Sequence, residues 1–245
     1  MKTNNAFEPP EKGLIIMDNY IYALIKFGKE KHIRSLQDGI LYMNPLSYFK
    51  GIEEQDRSRG DKNEGLDRYI QPEFANIKID DHVVDNNDIT KPVETRRNKE
   101  QGANLFCMYA IDFKRLQKNE FKLKLKKEMH EFGDTGLIVL DCPEFFNRIN
   151  TVIFLENKKL YNEVIEPLGD GLVEYVDKNT YSGKMGLFKK FKDYNYQNEF
   201  RIALDVPDSL VGTNDVFKLD IGDISDITKI FKTNEFEDIM EIRTE

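Results

Sequence analysis

The chain has 245 residues, 40% of them hydrophobic and 33% charged, with a formal net charge of 36 − 44 = −8. That length suits one large domain or two small ones, and the spread of apolar residues along the whole chain excludes a mostly disordered polymer. The negative balance excludes a general attraction for phosphate backbones or anionic membranes, so only a local basic patch can supply one.

The two cysteines, Cys107 and Cys142, each sit in an apolar run and read as free thiols of a reducing compartment. The three histidines, His32, His82 and His130, stand apart, with no His-x-x-x-His or Cys-x-x-Cys, so no metal site is expected. No apolar segment follows the polar start, and no run approaches the ~20 apolar residues that a membrane helix needs. A cytoplasmic protein with no membrane partner is the expectation.

In chain order, residues 1–13 read as a polar arm closed by Pro9 and Pro10, and residues 14–245 as a single domain. Residues 20–27 are β-branched and aromatic, a buried strand ended by Gly28. Ile33 and Leu36 at helical spacing predict a helix stopped by Gly39, and residues 40–43 predict a second strand closed by Asn44 and Pro45. Leu46, Tyr48, Phe49 and Ile52 suggest a short helix or turn. Residues 53–68 and 85–102 read as charged or polar surface loops, with short strands alternating with turns between them. A strand is expected over 104–113. Residues 121–132 stay open, since Phe121, Leu123 and Leu125 alternate with lysines whereas Met129 and Phe132 fit a helix. Residues 136–141 predict a buried strand, and Pro143 in a first turn predicts a helix carrying Phe145, Phe146, Ile149 and Ile153. Strands are expected over 171–176, 199–206 and 216–221, and a short terminal helix over 224–231. Strands outnumber helices without regular alternation. The fold class is therefore α+β, a mixed or mainly antiparallel sheet with peripheral helices. No G-x-G-x-x-G or P-loop pattern is present.

Four groups of residues carry chemical potential. Gln197, Glu199 and Arg201 lie two apart at the start of a strand, so they share a face: an acid, an amide and a fixed cation suited to a ribose diol and a developing sugar cation, or else a surface ion-pair ladder. Tyr42 and Tyr48 flank a strand end, where rings stack on a planar base or simply pack a turn. Within residues 53–64, Glu53, Glu54, Asp56, Asp61 and Glu64 surround Arg57 and Arg59. A solvated loop is the plain expectation; the alternatives are a divalent-cation site on the five carboxylates, as in a metal-dependent nuclease, or a phosphate contact through Arg57 or Arg59. The set Lys114, Arg115, Lys118, Lys122, Lys124, Lys126 and Lys127 is either an exposed polar face or a nucleic-acid contact.

Two segments resemble a known group. The run Gly39-Ile40-Leu41-Tyr42-Met43-Asn44-Pro45-Leu46-Ser47-Tyr48-Phe49 and the run Asn198-Glu199-Phe200-Arg201 are similar to motifs of a poorly characterised bacterial family. Some of its members look like ADP-ribosyltransferases acting as toxins or phage-defence effectors. Gln197-Asn198-Glu199 also resembles the Gln/Glu-x-Glu motif of that enzyme class. The resemblance implies an NAD-binding transferase acting on a macromolecular acceptor. In it Glu199 is the catalytic carboxylate, Gln197 orients the acceptor, Tyr42 and Tyr48 stack on nicotinamide, and Arg59 or Arg201 neutralises phosphate. The alternative is a non-enzymatic binding or inhibitor protein of viral or mobile-element type that occupies a host protein.

Overall fold

In the computed structural model, the described residues are 20–52, 60–97, 102–118 and 123–239. One eight-stranded sheet organises them. Its strands are β1 (Ile21–Gly28), β2 (Ile40–Pro45), β3 (Asn104–Asp112), β4 (Thr135–Val139), β5 (Glu166–Leu172), β6 (Glu199–Asp205), β7 (Phe217–Asp220) and β8 (Thr228–Lys232). The α-helices are α1 (Glu30–Gln37), α2 (Leu46–Gly51), α3 (Phe113–Lys118), α4 (Cys142–Asn157) and α5 (Phe236–Ile239). Every pairing within the large sheet is antiparallel. The one parallel pairing among the described residues joins Glu174–Val176 to Lys189–Phe191 in a small separate sheet. The fold is α+β, with helices at the periphery of a mainly antiparallel sheet.

The register of β3 sets up the site. Tyr109 pairs with Ile25 on one edge and Glu199 on the other, and Leu105 pairs with Asn44 and Ala203 in the same way. Thus β1 and β2 both use the edge of β3 that faces away from β6. They diverge between these points, so Phe106, Cys107 and Met108 have β6 partners but no strand partner on the forked edge. Backbone groups alternate edges along an antiparallel strand. Ala110 N–H bonds Asn198 O on the β6 side, so Cys107 turns its carbonyl into the fork, where Lys26 Nζ donates to it at 2.5 Å.

Helix α1 bridges the fork. It buries Ile33 and Leu36, and Gly39 ends it with φ of 101°. A side chain at Gly39 would stand 2.1 Å from the Gly222 carbonyl, so only glycine permits this return into β2. Helix α4 opens on Asp141, whose carboxylate accepts the Glu144 N–H at 2.9 Å, with Pro143 in the first turn. Its buried face of Phe145, Ile149 and Ile153 packs with Leu24, Phe106, Met108 and Phe200 on one face of the sheet. On the other face Ile25, Phe27, Phe231 and Phe236 form a second cluster.

Several sequence expectations are corrected. In place of the terminal helix expected over 224–231, residues 225–227 form a turn and Thr228 onward forms strand β8, because Thr228, Ile230 and Phe231 pair along β4 and the pairing outweighs local helix propensity. The expected charged loop over 53–68 is in its described part a buried segment: Asp61 is 1% exposed, Glu64 2% and Leu66 0%. The polar stretch 85–102 contains a strand, Val93–Thr95, paired with Arg68–Ile70. Residues 127–132, left open, form a 3-10 helix. No helix among the described residues is long and apolar enough to cross a membrane.

Candidate functional site

Strand β6 begins just after a left-handed residue. A 3-10 helix, Lys192–Gln197, ends at Asn198 with φ of 45°, and Glu199 starts the strand. Gln197 therefore reaches Glu199 across a turn and not along a strand, as the two-residue spacing had implied. Lys190 joins the two side chains: its Nζ donates to Gln197 Oε1 and to Glu199 Oε2, each at 2.8 Å. The expected grouping is present, but an unexpected lysine makes it.

Arg201 lies between two carboxylates. Its Nη1 and Nη2 donate to Glu64 at 2.7 and 2.8 Å, its Nε to Glu199 Oε1 at 2.5 Å, and Nη1 also to the Leu187 carbonyl at 2.5 Å. Lys190 is 3.3 Å from Glu64. The Glu199 backbone N–H is received by the Tyr175 hydroxyl at 3.0 Å. Glu64, Lys190, Glu199 and Arg201 are all buried, two anions against two cations. Burial by itself would push both carboxyls up. Arg201 and then Lys190 overcome it and hold Glu64 and Glu199 below the usual carboxylate range. Burial would lower Lys190, but Glu199 and Glu64 hold it above the ordinary lysine value, so it stays charged. Asp61, on the segment that carries Glu64, behaves differently: burial and the Glu64 charge push it up to about 6. Burial, reinforced by Glu199, pushes the Cys107 thiol up to about 12, which leaves it a poor nucleophile.

A cleft of about 480 Å³ opens at the fork and takes its lining from both faces of the sheet. Lys190, Gln197 and Glu199 contribute to its wall, as does Cys107. Tyr42 and Tyr48 line it too and are 50% and 41% exposed, which places them at its rim. Lys26, Lys29 and His32 come from β1 and the start of α1. Fixed cations outnumber carboxylates in this lining, although the whole chain carries a charge of −8. Such a lining has the chemistry to hold an anionic ligand with a flat, apolar part.

Of the residues singled out by sequence, Glu199, Gln197, Tyr42 and Tyr48 therefore share one cleft. Arg201 does not line it, because its guanidinium is engaged by Glu64, Glu199 and Leu187. Arg59 and Arg57 lie outside the described residues, as do Glu53, Glu54 and Asp56. In the basic set, Lys114, Lys118, Lys124, Lys126 and Lys127 are exposed, Arg115 pairs with Asp112 at 3.4 Å, and Lys122 lies outside the described residues. Among the described residues no group of three or more potential ligands could hold a metal ion. Sequence reasoning missed Lys190 and Lys26, and it named Glu64 only as one carboxylate of a surface loop. Lys190 sits among Lys189, Phe191 and Lys192 and looks like a solvated lysine, while Glu64 joins Arg201 across 137 positions. Only the apolar Leu66 close behind Glu64 hinted that this loop turns inward. No protein-family model, curated protein or solved structure matches the chain.

Proposed function

We propose that the protein binds NAD in the forked cleft and transfers ADP-ribose to a macromolecular acceptor, as an ADP-ribosyltransferase-like enzyme. The observation that carries this is Glu199, a carboxylate kept ionised by its neighbours and standing in the wall of a ligand-sized cleft beside Gln197. NAD fits the lining in three respects. The volume falls within the roughly 300–1,000 Å³ of small-molecule sites. Tyr42 and Tyr48 offer rings to a planar base. Lys26 and Lys29 offer cations to a diphosphate, the part assigned from sequence to Arg59 or Arg201.

In the reaction, the bond between nicotinamide nitrogen and ribose carbon breaks and nicotinamide leaves with the electron pair. Glu199 accepts hydrogen bonds from the ribose and stabilises the cation that develops on the sugar. The acceptor nucleophile then bonds to that carbon and loses its proton to water, with Gln197 orienting it. The test is to incubate the purified protein with NAD and cell lysate and follow nicotinamide by proton NMR. Release is expected in the native protein and absent in Glu199→Gln with the fold retained; release that persists in that variant rejects the assignment.

One observation favours a second, non-enzymatic function. Both oxygens of Glu199 already have cationic partners, as in a structural ion pair. The cleft would then hold an anionic group of a host partner without turnover. Recovery of one stoichiometric partner from lysate, unchanged by Glu199→Gln and without nicotinamide release, supports this alternative.

A further inference from the structure

Arg201 treats its two carboxylates unequally. A guanidinium pairs most strongly with a carboxylate through two parallel N–H bonds. That bidentate arrangement goes to Glu64, at 2.7 and 2.8 Å. Glu199 receives Nε at 2.5 Å and only a long 3.4 Å contact from Nη2. The Glu199 side chain is 6% exposed, those of Glu64 and Arg201 1% and that of Lys190 4%, so each depends on its protein partners for hydrogen bonds.

We propose that Glu64 is a positioning residue of the cleft: by occupying the Nη1–Nη2 fork of Arg201 it limits Glu199 to one short bond from Nε, and so holds the Glu199 carboxylate at the cleft wall. The role is positional, since Glu64 does not itself line the cleft. Without the Glu64 charge, two cations face one carboxylate. Arg201 then turns its paired N–H groups onto Glu199 and draws the carboxylate away from the cleft wall.

The segment that delivers Glu64 is built for fixed placement. The Asp61 N–H bonds the Phe49 carbonyl at 3.0 Å, which ties the segment to α2, the helix that also brings Tyr48 to the rim. Arg96 donates to the Glu64 and Lys62 carbonyls, each at 2.7 Å. Leu66 anchors the other end in a cluster with Tyr69, Met185 and Phe191. One tethered segment thus links the rim of the cleft to the ion pairs behind its wall.

This proposal rests on Glu199 being the reacting group, and the test separates the two. Full-length Glu64→Gln and Glu64→Asp are compared with the native protein for nicotinamide release, NAD affinity by calorimetry and thermal melting. The Glu199 carboxyl carbon is followed by NMR, assigned by its loss in Glu199→Gln. In Glu64→Gln, kcat is expected to fall at least about tenfold with KM unchanged, and Glu64→Asp, which keeps the charge, recovers part of it. The Glu199 resonance shifts in the Gln variant and remains close to native in the Asp variant. Unchanged kcat, or equal losses in both variants that follow the folded fraction, overturns the proposal. If the native protein releases no nicotinamide, the transferase assignment fails and the resonance decides the positioning role: the stated shift supports it and an unmoved signal overturns it.

Discussion

Both faces of the large sheet bury side chains, but of different kinds. Under α4 the contacts are apolar: Phe145, Ile149 and Ile153 meet Leu24, Phe106 and Phe200. Near the start of β6 the opposite face buries Glu64, Lys190, Glu199 and Arg201. The first face loses only the contacts of whatever is removed. The second is balanced, so removal of one member leaves another charge buried and uncompensated. The comparison teaches that burial predicts how badly a site tolerates change, whereas charge balance predicts how that intolerance varies with pH.

The sharpest way to break the comparison is Arg201→Met. It leaves Glu64 and Glu199 facing each other with Lys190 between them. We expect a loss of about 3–5 kcal/mol in urea unfolding at neutral pH, shrinking in acid as the carboxylates protonate. Phe145→Ala, at a side chain that is 0% exposed, should cost about 3–4 kcal/mol with no dependence on pH between 5 and 8. A pH-dependent loss in Phe145→Ala, or a pH-independent one in Arg201→Met, would erase the distinction between the faces.

The smallest effect has the opposite sign. Asp61 titrates at about 6 in the folded protein, above the ~3.9 of an unfolded aspartate. The native state therefore binds this proton more tightly, and the stability it contributes is complete below about pH 4 and lost as pH rises through about 6. Glu64 and Glu199 run the other way. Their folded values are depressed, so their contribution is present at neutral pH and fades only as pH falls below the ordinary carboxylate range. Asp61→Asn should therefore stabilise the protein by about 1–2 kcal/mol at pH 7.5 and leave it unchanged near pH 4. Equal melting temperatures at pH 7.5 would show that Asp61 is not ionised at a cost there.

The outline of the fold was legible where a local rule applied. β1, α1 and β2 could be read from Gly28, the Ile33–Leu36 spacing and Gly39, and α4 from Pro143 and its apolar face. Strand β8 was not legible, because residues 224–231 suit a helix as well as a strand and only pairing with β4 chooses. In the site, Glu199 and Gln197 stood out because they are neighbours in sequence. Glu64 and Lys190 did not, since a lysine or glutamate in a charged run reads as solvated until its partner is known.

Sequence alone determined the class of the fold, its opening order of β1, α1 and β2, and one carboxylate worth following, because periodicity, turn residues and short motifs act over a few positions; the sheet strand expected over 171–176 lies instead at Glu166–Leu172. Tertiary structure alone decided that the sheet forks at Phe106–Met108, that the segment from Asp61 to Leu66 turns inward, and that Arg201 binds two carboxylates. These outcomes depend on which charges become neighbours once water is excluded. Coulomb attraction between buried partners is strong over a few ångströms and indifferent to their separation along the chain.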